Sequence, residues 1–196
     1  MAAWRARIGD AEADRISAAA TARGTLVHAY AEASYRCERV HDDHAALAIA
    51  LRELGYVTIE LSNRFGPAAN QMARNLVRSA KALCPPADVW CQETALWSCT
   101  RRYAGSVDMV GLWHGTPAII DFKTAAKPKR EEWITDYWLQ TTAYALAHNE
   151  LFGSTIETLV ILITCETGEV QTFVGSITPW IDALDARLAT YYQRAA

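Results

Sequence analysis

The sequence predicts an α/β protein in which about five strands, flanked by helices, follow a helical N-terminal part. Three observations lead there. Residues 103–124 hold two apolar runs of strand length on either side of a tight-turn signal at His114, Gly115 and Thr116, the pattern of a β-hairpin. Residues 131–151 read as a helix ending before Gly153, and two further strand-like runs follow at 158–164 and 170–176. Upstream, residues 1–86 are mostly helical in pattern, punctuated by Gly and Pro. We therefore read 1–196 as one domain, with a helical part at 1–86 and an αβ core at 87–196.

In chain order, a first helix is expected to run to about Ala22. A second begins at Gly24-Thr25 with Thr25 as its N-cap, which puts His28 in the first turn. A lone histidine there is either a packed residue or a ligand, and Glu32, one turn on, either orients the imidazole or is a solvated acid. Asp42 or Asp43 caps a third helix over 45–54, ended by Gly55, and 56–61 suits a short strand. A helix from Pro67 is stopped by Pro85-Pro86. It carries Arg74, Arg78 and Lys81 on one face, with Leu76, Val77, Ala80 and Leu83 toward the core. Residues 61–83 contain no acid, so this face either meets solvent or contacts phosphates.

Residues 89–97 form the first core strand, with Glu93 on the face shared by Cys91 and Ala95. After the hairpin comes an acid-free run with Lys123, Lys127, Lys129 and Arg130. In the helix that follows, Trp133, Tyr137, Gln140 and Tyr144 recur at steps of four, three and four, so they share one face. Thr178-Pro179 opens a terminal helix to about Arg194.

Composition sets the outer limits. The chain has 196 residues, 51% of them hydrophobic and 10% aromatic, which fits a folded core rather than a disordered chain. Its net charge of −3 and pI near 5.9 exclude a protein coated in positive charge, so any nucleic-acid contact must be local. No apolar run is long enough to span a bilayer. The first twenty residues mix Arg5, Arg7 and Arg15 with Asp10, Glu12 and Asp14, unlike a secretory signal or an acid-poor transit peptide, and we expect an intracellular protein. Five cysteines without a CxxC pair are expected to be reduced, and no GxxxxGK phosphate loop is present.

The chemistry concentrates in the hairpin. Its strands are apolar on both faces, as in strands covered on both sides, which makes their charged residues informative. A period of two puts Asp121 and Lys123 on one face, with Asp108 in the neighbouring strand. Two acids in an apolar setting repel and are desolvated. Either Lys123 pairs with one of them as a structural ion pair, or a divalent cation compensates both.

The residues Arg23-Gly24-Thr25 with His28, then Glu93, then Ala104-Gly105-Ser106-Val107-Asp108, form an ordered set with Ile120-Asp121-Phe122-Lys123-Thr124, Lys127-Pro128-Lys129, Leu139-Gln140 and Ala143-Tyr144. This set resembles the PD-(D/E)XK nuclease superfamily, in its RecB-like branch, and more narrowly the mitochondrial genome maintenance exonuclease and its bacterial and phage relatives. It covers most of the chain. One departure is Asp121, where many members have Glu, which shortens the ligand by a methylene.

The resemblance implies a restriction-endonuclease-like core with a central mixed sheet. It implies Mg²⁺ or Mn²⁺ held by His28, Asp108, Asp121 and the backbone carbonyl of Phe122. Glu93 then supports the site, unless it pairs with Arg101 or Arg102. Lys123 supplies charge stabilisation, and Gln140 and Tyr144 match a Gln-xxx-Tyr element set against the active site. Arg74, Arg78, Lys81, Lys127 and Lys129 are candidate DNA contacts. Trp133 and Tyr137 either pack or stack unpaired bases.

Some RecB-like nucleases carry an iron-sulfur cluster with a cysteine trio after the core, but here only Cys165 follows Lys123, so none is expected. The implied activity is a metal-dependent DNA exonuclease acting on single-stranded ends without sequence specificity. The alternatives are a structure-selective or restriction-like endonuclease and a non-catalytic DNA-binding module. The expected partners are DNA and a replication or recombination protein, with no membrane. The expected setting is the cytoplasm of a bacterium or phage-infected host rather than a mitochondrion.

Overall fold

A computed structural model describes residues 2–36, 43–55 and 67–195. The sheet is built from β1 (Val89–Ser98), β2 (Tyr103–Trp113), β3 (Thr116–Ala125), β4 (Thr158–Cys165) and β5 (Val170–Ser176), in spatial order 1-2-3-4-5. The pairs β1·β2, β2·β3 and β4·β5 are antiparallel, while β3·β4 is parallel. A parallel neighbour needs a crossover, and here it is supplied by helix α5 (Thr135–Phe152). β4 is buried from Leu159 to Cys165, which explains why it reads as an unbroken apolar run rather than an alternating one.

One face of the sheet is covered by α2 (Asp10–Arg36), α3 (Asp43–Glu53) and α4 (Pro67–Leu83). Leu26, Tyr30, Met72 and Leu76 pack there against Met109, Ile120, Phe122 and Leu162. The other face carries α5 and the start of α6 (Ile181–Ala195), over Val107, Ile119, Ile161 and Ile163. The short helix α1 (Ala2–Ile8) precedes α2 across Gly9. His114 and Gly115, both with φ near +50° to +80°, close the β2–β3 hairpin as a two-residue turn, as its sequence predicted.

Four expectations change. The break at Gly24-Thr25 is absent: α2 runs through it, and the Thr25 hydroxyl donates to the Thr21 carbonyl at 3.0 Å instead of capping a new helix. Burial of Leu26, Val27, Tyr30 and Ala31 outweighs the roughly 1 kcal/mol penalty of a mid-helix glycine. Trp133 is not on the long helix, because residues Glu131–Trp133 form a separate 3₁₀ turn before α5 begins. The start of the terminal helix is likewise a 3₁₀ turn, Thr178–Trp180. Glu93 does not share a face with Cys91. Glu93 has φ of 45°, which breaks the alternation within β1, so Cys91 packs against the α5 side while Glu93 faces α2. The strand expected at 56–61 and the cap at Asp42 lie outside the described residues.

At Gly111 the sheet leaves no room for a side chain. A Cβ there would sit 2.6 Å from the Asp88 carbonyl oxygen and 3.1 Å from Val89 Cα, both backbone atoms that cannot rotate away. Gly111→Ala is expected to destabilise by about 1–3 kcal/mol through overpacking, read as a lower urea midpoint at unchanged slope. A wild-type midpoint would show that the β1–β2 contact yields.

Candidate active site

The sheet opens on one side. The β2–β3 ladder runs from Trp113↔Thr116 only to Met109↔Ile120, whereas β1–β2 continues to Ser98↔Tyr103 and β3–β4 to Ala125↔Cys165. Past Met109 the two strands therefore diverge into a fork. Asp108 and Asp121 are the first residues of each strand beyond the last pair. Asp108 bridges the opening: the Phe122 N–H donates to its Oδ2 at 2.6 Å, replacing the lost ladder bond.

α2 crosses beneath the fork and places His28 there. Its Nδ1 lies 3.4 Å from Asp108 Oδ1 and 3.7 Å from Glu93 Oε1. His28, Glu93 and Asp108 each offer a ligand atom, all within 4.8 Å of one another. Asp121 does not join this trio. It is fully buried, with Lys123 Nζ 2.5 Å from its Oδ2, yet neither carboxylate oxygen has a hydrogen-bond partner of normal geometry. Contact with Lys123 and lack of a proper bond to it are compatible, because the ammonium approaches at a poor angle; the charge pairing is what the distance supports.

The electrostatics follow from this crowding. Burial pushes the Asp121 carboxyl up, Lys123 opposes that shift, and Asp108 reinforces it. Burial pulls Lys123 down, but Asp121 and Asp108 outweigh it and hold the ammonium above its ordinary value. Burial also lowers His28, and hydrogen bonding to Asp108 and Glu93 overcomes it, leaving the imidazole pushed up to about 10. Three carboxylates and an imidazole, with both oxygens of buried Asp121 lacking a hydrogen-bond partner, are a donor set that suits a hard divalent cation. The residues present fit one.

Over the fork lies α5. Gln140 Nε2 donates to the Tyr144 hydroxyl at 2.9 Å, and burial raises the Tyr144 pKa while Gln140 lowers it. Tyr137 faces Lys123, whose Nζ is 5.3 Å from the ring centre. That contact makes Tyr137 a partner of the lysine rather than an open stacking surface.

At the C-terminal end of β3 a cavity of about 410 Å³ is lined by Arg23, Thr124, Lys127, Lys129 and Trp133. Trp133 is 60% exposed, with the Arg130 guanidinium 5.3 Å from its ring. The loop is fixed by Gln171 of β5, which accepts from Lys129 N–H at 2.7 Å and donates to its carbonyl at 3.0 Å. Arg23 is ion-paired with Glu166 at the mouth of this groove. Its place was legible only as part of the Arg23-Gly24 motif; read as one continuous helix, α2 carries Arg23 and His28 to adjoining parts of the same opening.

Other candidates sit apart. Lys81 donates to the Ser34 carbonyl at 2.7 Å and lies over the Tyr35 ring, so its ammonium is committed to the α2–α4 packing. Arg78 is exposed and Arg74 half-buried on the same helix. Glu32 pairs with Arg36 at 3.1 Å rather than orienting His28. Arg101 pairs with Asp185 and Arg102 stacks on Tyr192, so neither is the partner of Glu93. Cys84, Cys91, Cys99 and Cys165 are free thiols. Among the described residues, no helix is long and apolar enough to cross a membrane.

Comparison with known proteins agrees with this layout. No curated protein matches the chain. Among solved structures, one described as a "putative exonuclease" from Eubacterium rectale superimposes with a TM-score of 0.55 at 11% identity, over 88% of this chain and 65% of that one. The likeness is one of fold, and the chain spans about two-thirds of that structure's length. The model of the PD-(D/E)XK nuclease superfamily matches residues 2–190. With its forked sheet and acid-lysine pair, the chain belongs to the PD-(D/E)XK nuclease superfamily.

Proposed function

We propose that this protein is a divalent-metal-dependent DNA exonuclease that attacks single-stranded ends without sequence preference, in the RecB-like branch and near the mitochondrial genome maintenance exonuclease. The observation that carries the reading is the fork: Asp108, Asp121, Lys123, Glu93 and His28 converge where two apolar strands part. His28, Asp108 and Glu93 would hold the cation, with Asp121 and the Phe122 carbonyl completing its shell. Mg²⁺ or Mn²⁺ would supply Lewis-acid polarisation of the scissile phosphate and a more acidic water.

The remaining work belongs to the chain. The two acids beside it hold Lys123 above its ordinary pKa, so its role is to neutralise charge developing on the phosphate. Gln140 and Tyr144 form a hydrogen-bonded pair on α5 that positions the strand over the fork. Lys127 and Lys129, with Trp133, line a cavity beside the fork that suits a backbone leaving the site, with Arg23 held there by Glu166.

The test uses one labelled sequence in two forms, linear and covalently closed single-stranded DNA, with Mg²⁺ or with chelator. Linear DNA is expected to disappear at least tenfold faster than the circle, and neither should be lost in chelator. Equal loss of both forms would make the protein an endonuclease. Loss that persists in chelator would remove the metal from the mechanism, and no loss at all would leave a DNA-binding module.

A further inference from the structure

Beyond the fork, β1 and β2 continue as a two-stranded arm that β3 does not join, with Ala95↔Ser106, Leu96↔Gly105, Trp97↔Ala104 and Ser98↔Tyr103 in register. One face of the arm is closed by α5. Leu96, Ser98 and Val107 are buried there, the Tyr103 hydroxyl donates to the Ala143 carbonyl at 2.8 Å, and a Cβ at Gly105 would sit 2.9 Å from Tyr144 Cε1. The opposite face carries Ala95, Trp97, Ala104 and Ser106, all exposed, with Trp97 49% open to solvent.

This open face leads into the site. Gln92↔Met109 and Thr94↔Val107 bracket the position where Glu93 stands opposite Asp108. The cross-strand rows Trp97/Ala104, Ala95/Ser106 and Glu93/Asp108 therefore follow one another on one side of the arm, two residues apart. Nothing on the middle row is larger than serine. At about 3.4 Å per residue the strip from Ala104 to Asp108 is ~14 Å long, close to four stacked nucleotides at ~3.4 Å each. Its exposed residues carry no charge short of the site. Between Glu93 and Asp108 the sequence has no acid; at the tip Arg101 is paired with Asp185 and Arg102 lies on Tyr192, so the strip itself offers stacking rather than charge.

An indole half-open to water at the end of a flat, uncharged strip has no packing role that the arm's buried face does not already fill. We propose that Trp97, with Ala95, Ala104 and Ser106, is the platform on which bases of the incoming single-stranded DNA stack before the strand enters the fork. Stacking on a flat ring is indifferent to base identity, which matches a nuclease without sequence preference. The small residues keep the strip low enough for the backbone to descend to Asp108. This inference rests on the nuclease reading and names how that site takes its substrate.

The experiment is equilibrium binding of a fluorescent fifteen-residue oligo(dT) in EDTA, across a salt series, for wild type, Trp97→Ala, Trp97→Phe and Ser106→Glu. Trp97→Ala is expected to weaken binding at least fivefold while keeping the wild-type slope of log affinity against log salt, because stacking and not charge is removed. Trp97→Phe should recover affinity to within about threefold. Ser106→Glu, which places a carboxylate on the strip without touching the buried face, should weaken binding as well. Wild-type affinity for both Trp97→Ala and Ser106→Glu overturns the platform, and so does a loss that Trp97→Phe does not repair. If wild type hydrolyses DNA in Mg²⁺ while these variants bind normally, the platform alone fails. If wild type neither binds oligo(dT) nor hydrolyses it, the nuclease reading fails and takes the platform with it.

Discussion

Replacing Lys123 with methionine, which keeps the stem and removes the charge, is expected to lower DNA hydrolysis in saturating Mg²⁺ by about 10³-fold. Among the described residues the ammonium is the cationic group in direct contact with buried Asp121, and it is held above its ordinary pKa by the acids around it. His28, the other base in the site, is engaged by Asp108 and Glu93. The substitution also leaves a fully buried carboxylate without its counter-charge, and breaking such a pair from one side costs on the order of 3–5 kcal/mol. A loss of activity could then reflect unfolding.

The double variant Asp121→Asn with Lys123→Met separates the two effects, because removing both charges relieves the stranded carboxylate. Its urea midpoint is expected to return most of the way toward wild type while hydrolysis stays at the level of the single variant. Recovery of both would reduce the Asp121–Lys123 contact to a structural ion pair, the alternative that its sequence spacing left open. Lys123→Met retaining more than a tenth of wild-type turnover would remove Lys123 from the chemistry.

Which parts of this arrangement were legible beforehand follows from what each signal measures. The five strands, their hairpin and the long helix before β4 were visible because apolar period and turn chemistry are local properties. The alternation at Asp121 and Lys123 likewise placed both on one face. Local signals failed where tertiary contact decided the outcome. Gly24 reads as a helix break, yet α2 passes through it because Leu26, Val27 and Tyr30 are buried against the sheet. Glu93 reads as a regular strand residue, but its positive φ turns it toward His28. Trp133 drops out of the aromatic stripe because the helix starts later than the pattern suggests. Lys81 looked like one of three equivalent cations, and only the packing of α4 against α2 shows its ammonium on the Ser34 carbonyl. The fork itself has no sequence signature: nothing in β2 or β3 says that pairing stops at Met109.

The same crowding makes the protein's stability depend on pH in chelator. His28 has an ordinary pKa near 6.5 and is pushed up to about 10 in the fold by Asp108 and Glu93, against the opposing effect of burial. A raised pKa means that the folded protein keeps the proton where the unfolded chain has released it. The stabilisation is therefore fully present below about 6.5, declines as pH rises, and is gone above about 10. Between these limits the slope from this one group is at most about 1.4 kcal/mol per pH unit.

Denaturant midpoints measured in EDTA are expected to fall steadily from pH 7 to pH 9.5. His28→Ala should be less stable than wild type at pH 7 and should lack this slope, because Glu93 and Asp108 then face each other without a proton between them. Mn²⁺ competes with that same proton, since a ligating imidazole must be neutral, so its binding should tighten as pH rises and its addition should offset the fall. A wild-type midpoint that holds level in EDTA over this range would mean that His28 is already neutral. The three ligand atoms would then need another source of compensation for their two carboxylates.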